Sequence, residues 1–382
     1  MRNNHHQPPP RKWRIVPPLS HVKMFLPLFL AHMRWLFVGL GGWLWAQALS
    51  PVSLPEIEQQ LAKIGPMILN HEDMALKDSL NKEFLALWLK AFSVPEAFSY
   101  PFDSVVTVSD LCPPDSAFRI LSWQIVDFEE RDHYYYGIVV RRWRKDKKSP
   151  WQVRAYVLKE IPEVLQEDDI ERRTLDHTQW VGALYYHPRY SKHGVLRYEG
   201  WVKVPRGRQI VKEKLVYYVL LGWNGYDKRR NFKVIETIFF DPRQPEKVFF
   251  GAPVIYSGPV PKMRVILPYS ETTPLSLNKG WFVPKQGSRR QIEAIVFDHV
   301  STAGRRSQKT LWEDPRPFFG ADGTYDALVF LKKGLWEGRQ GILVYRRNVI
   351  PYAPEIEHYD PKVIQRQREE AMRKLRQYGF SR

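Results

Sequence analysis

The sequence predicts a mainly β protein: antiparallel, meandering sheets forming a sandwich or an open barrel, with an N-terminal helical pair and a C-terminal helix. Three observations carry that expectation. Between Ser99 and Tyr352, about a dozen short runs read with a period of two or are apolar throughout. The gaps between them are short and rich in Pro, Gly, Asn and Asp, which favours hairpins over crossover helices. On both flanks of this body, apolar residues recur at helical spacing.

Residues 1–48 read as a leader. They hold six basic residues and no acidic one, and Met33-Arg34 precedes the apolar stretch WLFVGLGGWLW and the small-x-small site Ala46-Gln47-Ala48. A positive start, an apolar stretch and such a site make a secretory signal, so cleavage after Ala48 is expected. The Pro-rich stretch before Met33 is too long for a signal start and points to initiation at Met33, or else at Met24. The competing reading is a membrane anchor over Met24–Ala48, long enough to span a bilayer. It would place Arg34 in mid-span at a cost of roughly 2.5–3.5 kcal/mol.

Residues 49–97 form the helical segment. Ser53 and Glu56 have capping-box spacing, and Ile57, Leu61 and Ile64 follow on one face until Gly65-Pro66, where a break or kink is expected. A second helix is predicted from Leu76, Leu80, Phe84, Leu87 and Ala91, which share one face.

Residues 98–352 form the antiparallel β domain. Its strands are read in SVVTVSDL, FRILSWQIVDF, YYYGIVVRRW, WQVRAYVLKEI, VGALYYH, KLVYYVLLGW, FKVIETIFFD, KVFFGAPVIYS, KMRVILPYS, QIEAIVFDHV, YDALVFLKKG and QGILVYRRNV. The run 215–223 is apolar on both faces and should be central. On its partner, Glu236 shares a face with Val234, Ile238 and Phe240. It is expected at the sheet margin, reaching water or pairing with Lys214 or Arg230; the other reading is a buried acid. Residues 353–382 form the basic C-terminal helix, capped by Asp360 with Pro361 in its first turn.

The composition bounds function. A formal net charge of +17 falls by the six leader charges to +11, an excess suited to anionic surfaces. For an exported chain these are anionic lipid and acidic glycan, with an envelope protein as the other partner class; nucleic acid fails if the signal is real. One cysteine, Cys112, rules out an intramolecular disulfide. No GxSxG, HExxH, P-loop or CxxC occurs, and no cofactor is indicated.

A few constellations are candidates for chemistry. Asp298-His299 closes the run IEAIVF, and as neighbours on a strand the two point to opposite faces. They are the catalytic candidates. Asp322-Gly323-Thr324-Tyr325-Asp326 reads first as a turn. Asp322 and Asp326 would also offer oxygens to calcium, though the other acidic positions of a calcium loop are absent. Trp223-Asn224-Gly225-Tyr226-Asp227 reads as a tight hairpin; Trp223 and Tyr226 at an exposed tip would stack on a sugar, or else cover the hairpin's own face. The binding candidates are therefore Trp223, Asn224, Tyr226, Asp322 and Asp326. Arg141-Arg142-Trp143-Arg144-Lys145-Asp146-Lys147-Lys148, followed by Trp151, reads as a solvated hairpin tip or as a patch for acidic glycan or nucleic acid.

Several segments are similar to a family of predicted exported proteins of unknown function from Bacteroidetes. They are FRILSWQI (118–125), YYVLLGWNGYDKRRNFKVIETIFF (217–240), VFFGAPVI (248–255), IVFDHV (295–300) and FFGADGTYDALVF (318–330). The resemblance spans residues 96–340; it implies export and carries over no catalytic residue. The expectation is an exported β-rich envelope protein with a binding or structural role. The alternative is a hydrolase of envelope or dietary polymer using Asp and His residues at strand ends.

Overall fold

The computed structural model describes residues 52–129, 132–144, 146–161, 169–188, 191, 193–206, 209–226, 230–241, 243–244, 247–257, 260–270, 274–282, 290–302 and 319–342. The leader, its cleavage site and the C-terminal helix expected over 353–382 lie outside the described residues.

Helices α1 (Leu54–Asn70) and α2 (Met74–Ala91) form the expected pair, with local differences. The Ser53 side chain makes no cap bond; α2 is capped instead by Asp73, whose carboxylate accepts from Ala75 N at 2.8 Å. Helix α1 runs through Gly65-Pro66 without ending. Pro66 removes one helical donor, but Ile57, Leu61, Ile64 and Ile68 are buried on both sides of it, and that packing offsets the loss. A side chain at Gly65 would strike Thr107, with its Cβ 2.1 Å from the Thr107 oxygen.

The buried face of α2 is rotated from the expected stripe. It holds Lys77, Asn81, Phe84, Trp88 and Ala91, while Leu76 is exposed. Its two polar members are bonded: Lys77 Nζ donates to Val126 O at 2.6 Å, and Asn81 Oδ1 accepts from Trp123 Nε1 at 2.7 Å. Placing the large Trp88 and Phe84 rings in the core decides the rotation, since aromatics bury the most area.

The β body consists of three sheets. The first runs in chain order, β1 (Ser109–Leu111), β2 (Phe118–Val126), β3 (His133–Trp143) and β4 (Gln152–Leu158), all antiparallel. Alternation splits β2 cleanly: Leu121, Trp123 and Ile125 pack on the helices, while Phe118 and Ile120 face the second sheet.

The second sheet holds β5 (Leu175–Asp176), β6 (Leu184–Tyr186), β7 (Leu196–Arg206), β8 (Gln209–Asn224), β9 (Arg230–Phe239) and β10 (Phe249–Phe250), with β13 (Val265–Ser270) paired to β9. Strand β8 is the central strand expected. Tyr218 and Leu220 enter the core shared with the first sheet, whereas Tyr217, Val219 and Leu221 enter the core shared with the third.

The third sheet contains β11 (Ile255–Tyr256), β12 (Pro261–Lys262), β14 (Leu277–Phe282), β15 (Ile292–Thr302), β16 (Phe319–Leu331) and β17 (Leu335–Ile342). The short pairing of β11 with β17 is parallel. The protein is thus helices and three sheets stacked through three apolar cores, a mainly β, antiparallel fold with no closed barrel among the described residues.

Two turn expectations are corrected. Asn224 pairs with Phe232, so Asn224-Gly225 is not the two-residue turn of a tight hairpin. The segment Asp322–Asp326 is not a turn but part of β16, because Ser301 and Val300 of β15 continue the ladder onto Gly320 and Ala321. Cross-strand pairing overrides the local preference of Asp-Gly.

Candidate functional site

Strands β15 and β16 bring His299 and Asp326 together. Each lies where the ladder slips, by two residues at His299 and by one at Asp326, an irregularity that turns side chains away from strict alternation. His299 Nδ1 is 3.0 Å from Asp326 Oδ2. Asp298 faces elsewhere: its carboxylate accepts from Ser276 N at 2.6 Å, and burial pushes its pKa up. Asp298 pairs in register with Tyr325, whose hydroxyl is also raised, by burial first and then by the Asp298 charge. Asp322 lies on the same strand, with its side chain outside the described residues.

Asp326 lines a groove of about 490 Å³ between the third sheet and β13, together with Ser257, Lys262, Val265, Phe297 and Arg339. His299 does not line it, so the imidazole is not presented to a ligand there. A carboxylate can hold a His tautomer, yet acid–base chemistry requires the ring to reach the substrate. Among the described residues, no three His, Cys, Asp or Glu side chains are grouped to hold a metal ion.

The hairpin candidates are packed inward. Trp223 Nε1 donates to Tyr269 OH at 2.8 Å and the indole meets the His133 ring edge-on. Asn224 is buried, donating to Gly182 O at 2.9 Å and accepting from Tyr226 N at 2.8 Å. The Tyr226 ring packs edge-on against Phe232. Tyr226 thus covers the hairpin's own face, whereas Trp223 packs on Tyr269 of β13 and His133 of β3.

Glu236 departs from its expected place at the sheet margin. It is fully buried and paired with Arg264, also fully buried, at 2.9 Å. Both faces of β9 are covered, Val234 and Ile238 entering the core shared with the first sheet and Ile235 the core shared with the third, so Glu236 does not reach water. Burial pushes the Glu236 carboxyl up, against the Arg264 charge, which lowers it. This pair is structural, since all its polar atoms turn to protein partners.

The basic run is exposed at Arg144, Lys147 and Lys148, whereas Arg142 is half-buried and Arg141 buried. The β3–β4 hairpin, residues 141–154, carries seven basic residues and one acidic. The acid, Asp146, is occupied in the turn, accepting from Lys148 N and Ser149 N at 2.8 Å each. The Arg142 guanidinium lies 4.5 Å from the Phe98 ring and 4.5 Å from Trp151, and Arg144 also lies 4.5 Å from Trp151. The order aromatic, cation, aromatic, cation forms a ladder, and Trp151 is 45% exposed. The aromatic rings hold the guanidiniums in place; Arg144 Nη1 also donates to Lys147 O at 3.1 Å, and the remaining donors of the exposed Arg144 are left for oxyanions. Arg141 continues the arrangement 4.3 Å from Phe240.

No protein-family model, curated protein or solved structure matches this chain.

Proposed function

We propose that this chain is an exported, β-rich binding protein of the cell envelope that holds an acidic glycan at the Arg142–Trp151–Arg144 ladder. The observation that carries the reading is the ladder itself: cations fixed by aromatic stacking on an exposed hairpin, with their one local acid bound in the turn. The leader pattern and the resemblance to exported proteins support a location in the periplasm, at the outer-membrane periphery or outside the cell.

The test is affinity electrophoresis through polygalacturonate, with neutral dextran as the reference. Retardation by the polyuronate alone, weakened about tenfold by Arg144→Gln or Trp151→Ala, is expected. Equal mobility in both gels would refute the reading. N-terminal sequencing of the exported chain should start at Leu49; recovery of chains retaining Trp43 in the membrane would favour an anchor.

The hydrolase reading draws support from the 3.0 Å pairing of His299 with Asp326. It requires polymer cleavage that His299→Ala abolishes.

A further inference from the structure

Strands β7 and β8 continue as a two-stranded ribbon past the end of β9. Strand β9 stops at Phe239, opposite Tyr217, whereas β7 pairs with β8 from Leu196↔Val219 out to Arg206↔Gln209. Among the described residues, β8 positions 209–216 therefore have β7 as their strand partner on one side alone.

The register sorts the ribbon's side chains. Directly paired residues share a face, so Trp201 and Lys214 lie beside Lys203 and Lys212. All four are exposed, Trp201 by 51%. Lys214 is engaged by Glu199 at 2.5 Å, and Glu199 also accepts from Arg197 at 2.8 Å. Lys203 and Lys212 are directly opposed, and among the described residues neither has an acidic partner. Like charges in that position repel across the strands. Lys212 Nζ lies 5.5 Å from the Trp201 ring centre. On the reverse face Val202 is buried in the core shared with the third sheet and Glu213 pairs with Arg243 at 3.0 Å, while Val211 is exposed by 36%.

We infer that this ribbon is an interfacial arm that binds an anionic lipid bilayer. An amphipathic indole between lysine stems has the chemistry of a membrane interface, where the ring sits among headgroups and the ammonium groups reach lipid phosphates. Each lysine near an anionic leaflet adds attraction that falls off within a Debye length. Headgroups bound between Lys203 and Lys212 would also relieve their repulsion. The arm is separate from the Arg142–Trp151–Arg144 ladder, and its ligand, a bilayer, differs from a soluble glycan.

The test is cosedimentation of the full chain with vesicles of phosphatidylglycerol and phosphatidylcholine, against vesicles of phosphatidylcholine alone. Binding to the anionic vesicles, released by about 0.5 M salt, is expected. The double variant Lys203→Gln/Lys212→Gln should bind roughly tenfold more weakly. Its melting temperature should hold or rise because the repulsion is gone, which separates lost binding from lost folding. Quenching by brominated lipid should fall in Trp201→Ala. Removing the same charge from α2, with Lys82→Gln/Lys90→Gln, should leave binding in place. The inference is overturned by an absence of anionic-vesicle binding, by equal binding to neutral vesicles, by unchanged binding in the ribbon variants, or by retention on single-stranded RNA without vesicle binding.

Discussion

Arg264 and Glu236 face each other at 2.9 Å with neither side chain exposed to solvent. The guanidinium also donates to Ile170 O at 2.5 Å, Arg173 O at 2.8 Å and Phe250 O at 3.3 Å. Glu236 spends its other oxygen on Thr237 N at 2.9 Å. One ion pair thus ties β9 to β10, to the segment before β13 and to the turn at residues 170–173. Removing either partner strands the other charge in the core. Arg264→Ala or Glu236→Ala should each cost about 3–5 kcal/mol in urea denaturation. The double variant Glu236→Leu/Arg264→Met should be less destabilised than the sum of the singles, because no lone charge remains. Additive losses would show that the two groups act independently.

Gly225 is required by close approach. A Cβ there would lie 2.7 Å from His133 Nε2, and the surrounding ring atoms are equally close. The His133 ring is held by Gln124 Oε1, 3.1 Å from Nδ1, and by stacking on Tyr135. Gly225→Val should lower stability by about 1–3 kcal/mol through overpacking. Thermal melts of Gly225→Ala, Gly225→Val and a Gly225→Ala/His133→Ala pair would check it; the last should recover part of the Gly225→Ala loss.

The rotation of α2 is testable on adjacent residues. Lys77→Ala strands Val126 O and removes an ammonium seated 3.9 Å from the Phe128 ring centre, so it should cost about 1–3 kcal/mol. Leu76→Gln, on the exposed side, should stay within about 0.5 kcal/mol. The reverse order of losses in denaturant titration would restore the apolar stripe Leu76–Leu80–Leu87 as the core face.

His133 should make the fold acid-sensitive. Burial alone pushes its pKa below the ordinary histidine value. The unfolded chain then binds this proton more readily than the native state, so stability rises with pH across the window between the two values. The stability is fully present above the unfolded value of about 6.5 and is lost as pH falls through the lowered folded value. His133→Gln should flatten that part of the stability–pH curve. An unchanged slope would assign the sensitivity to other groups.

Much of the architecture could be read from the chain alone. Period-two runs with short, turn-rich gaps dictate antiparallel sheets, and a run apolar on both faces, 215–223, has to be central, because burying one side would leave the other wet. The local code was weakest where pairing competes with it. Strand β7 escaped sequence reading although Leu196, Tyr198, Val202 and Val204 alternate, because Gly200, Pro205 and its charges mask the pattern. Asp322-Gly323 has turn chemistry but lies in a strand, since β15 continues the ladder past it.

The site followed the same division. Composition and spacing supplied a basic hairpin with tryptophans, and separately an Asp-His dipeptide. Only the tertiary structure decided that Arg142 and Arg144 share Trp151 and that His299 pairs with Asp326, 27 residues away. It alone decided that Glu236 is buried against Arg264. Strand order sets which distant side chains meet, and that order is chosen by burial summed over three cores, a quantity that no local window contains.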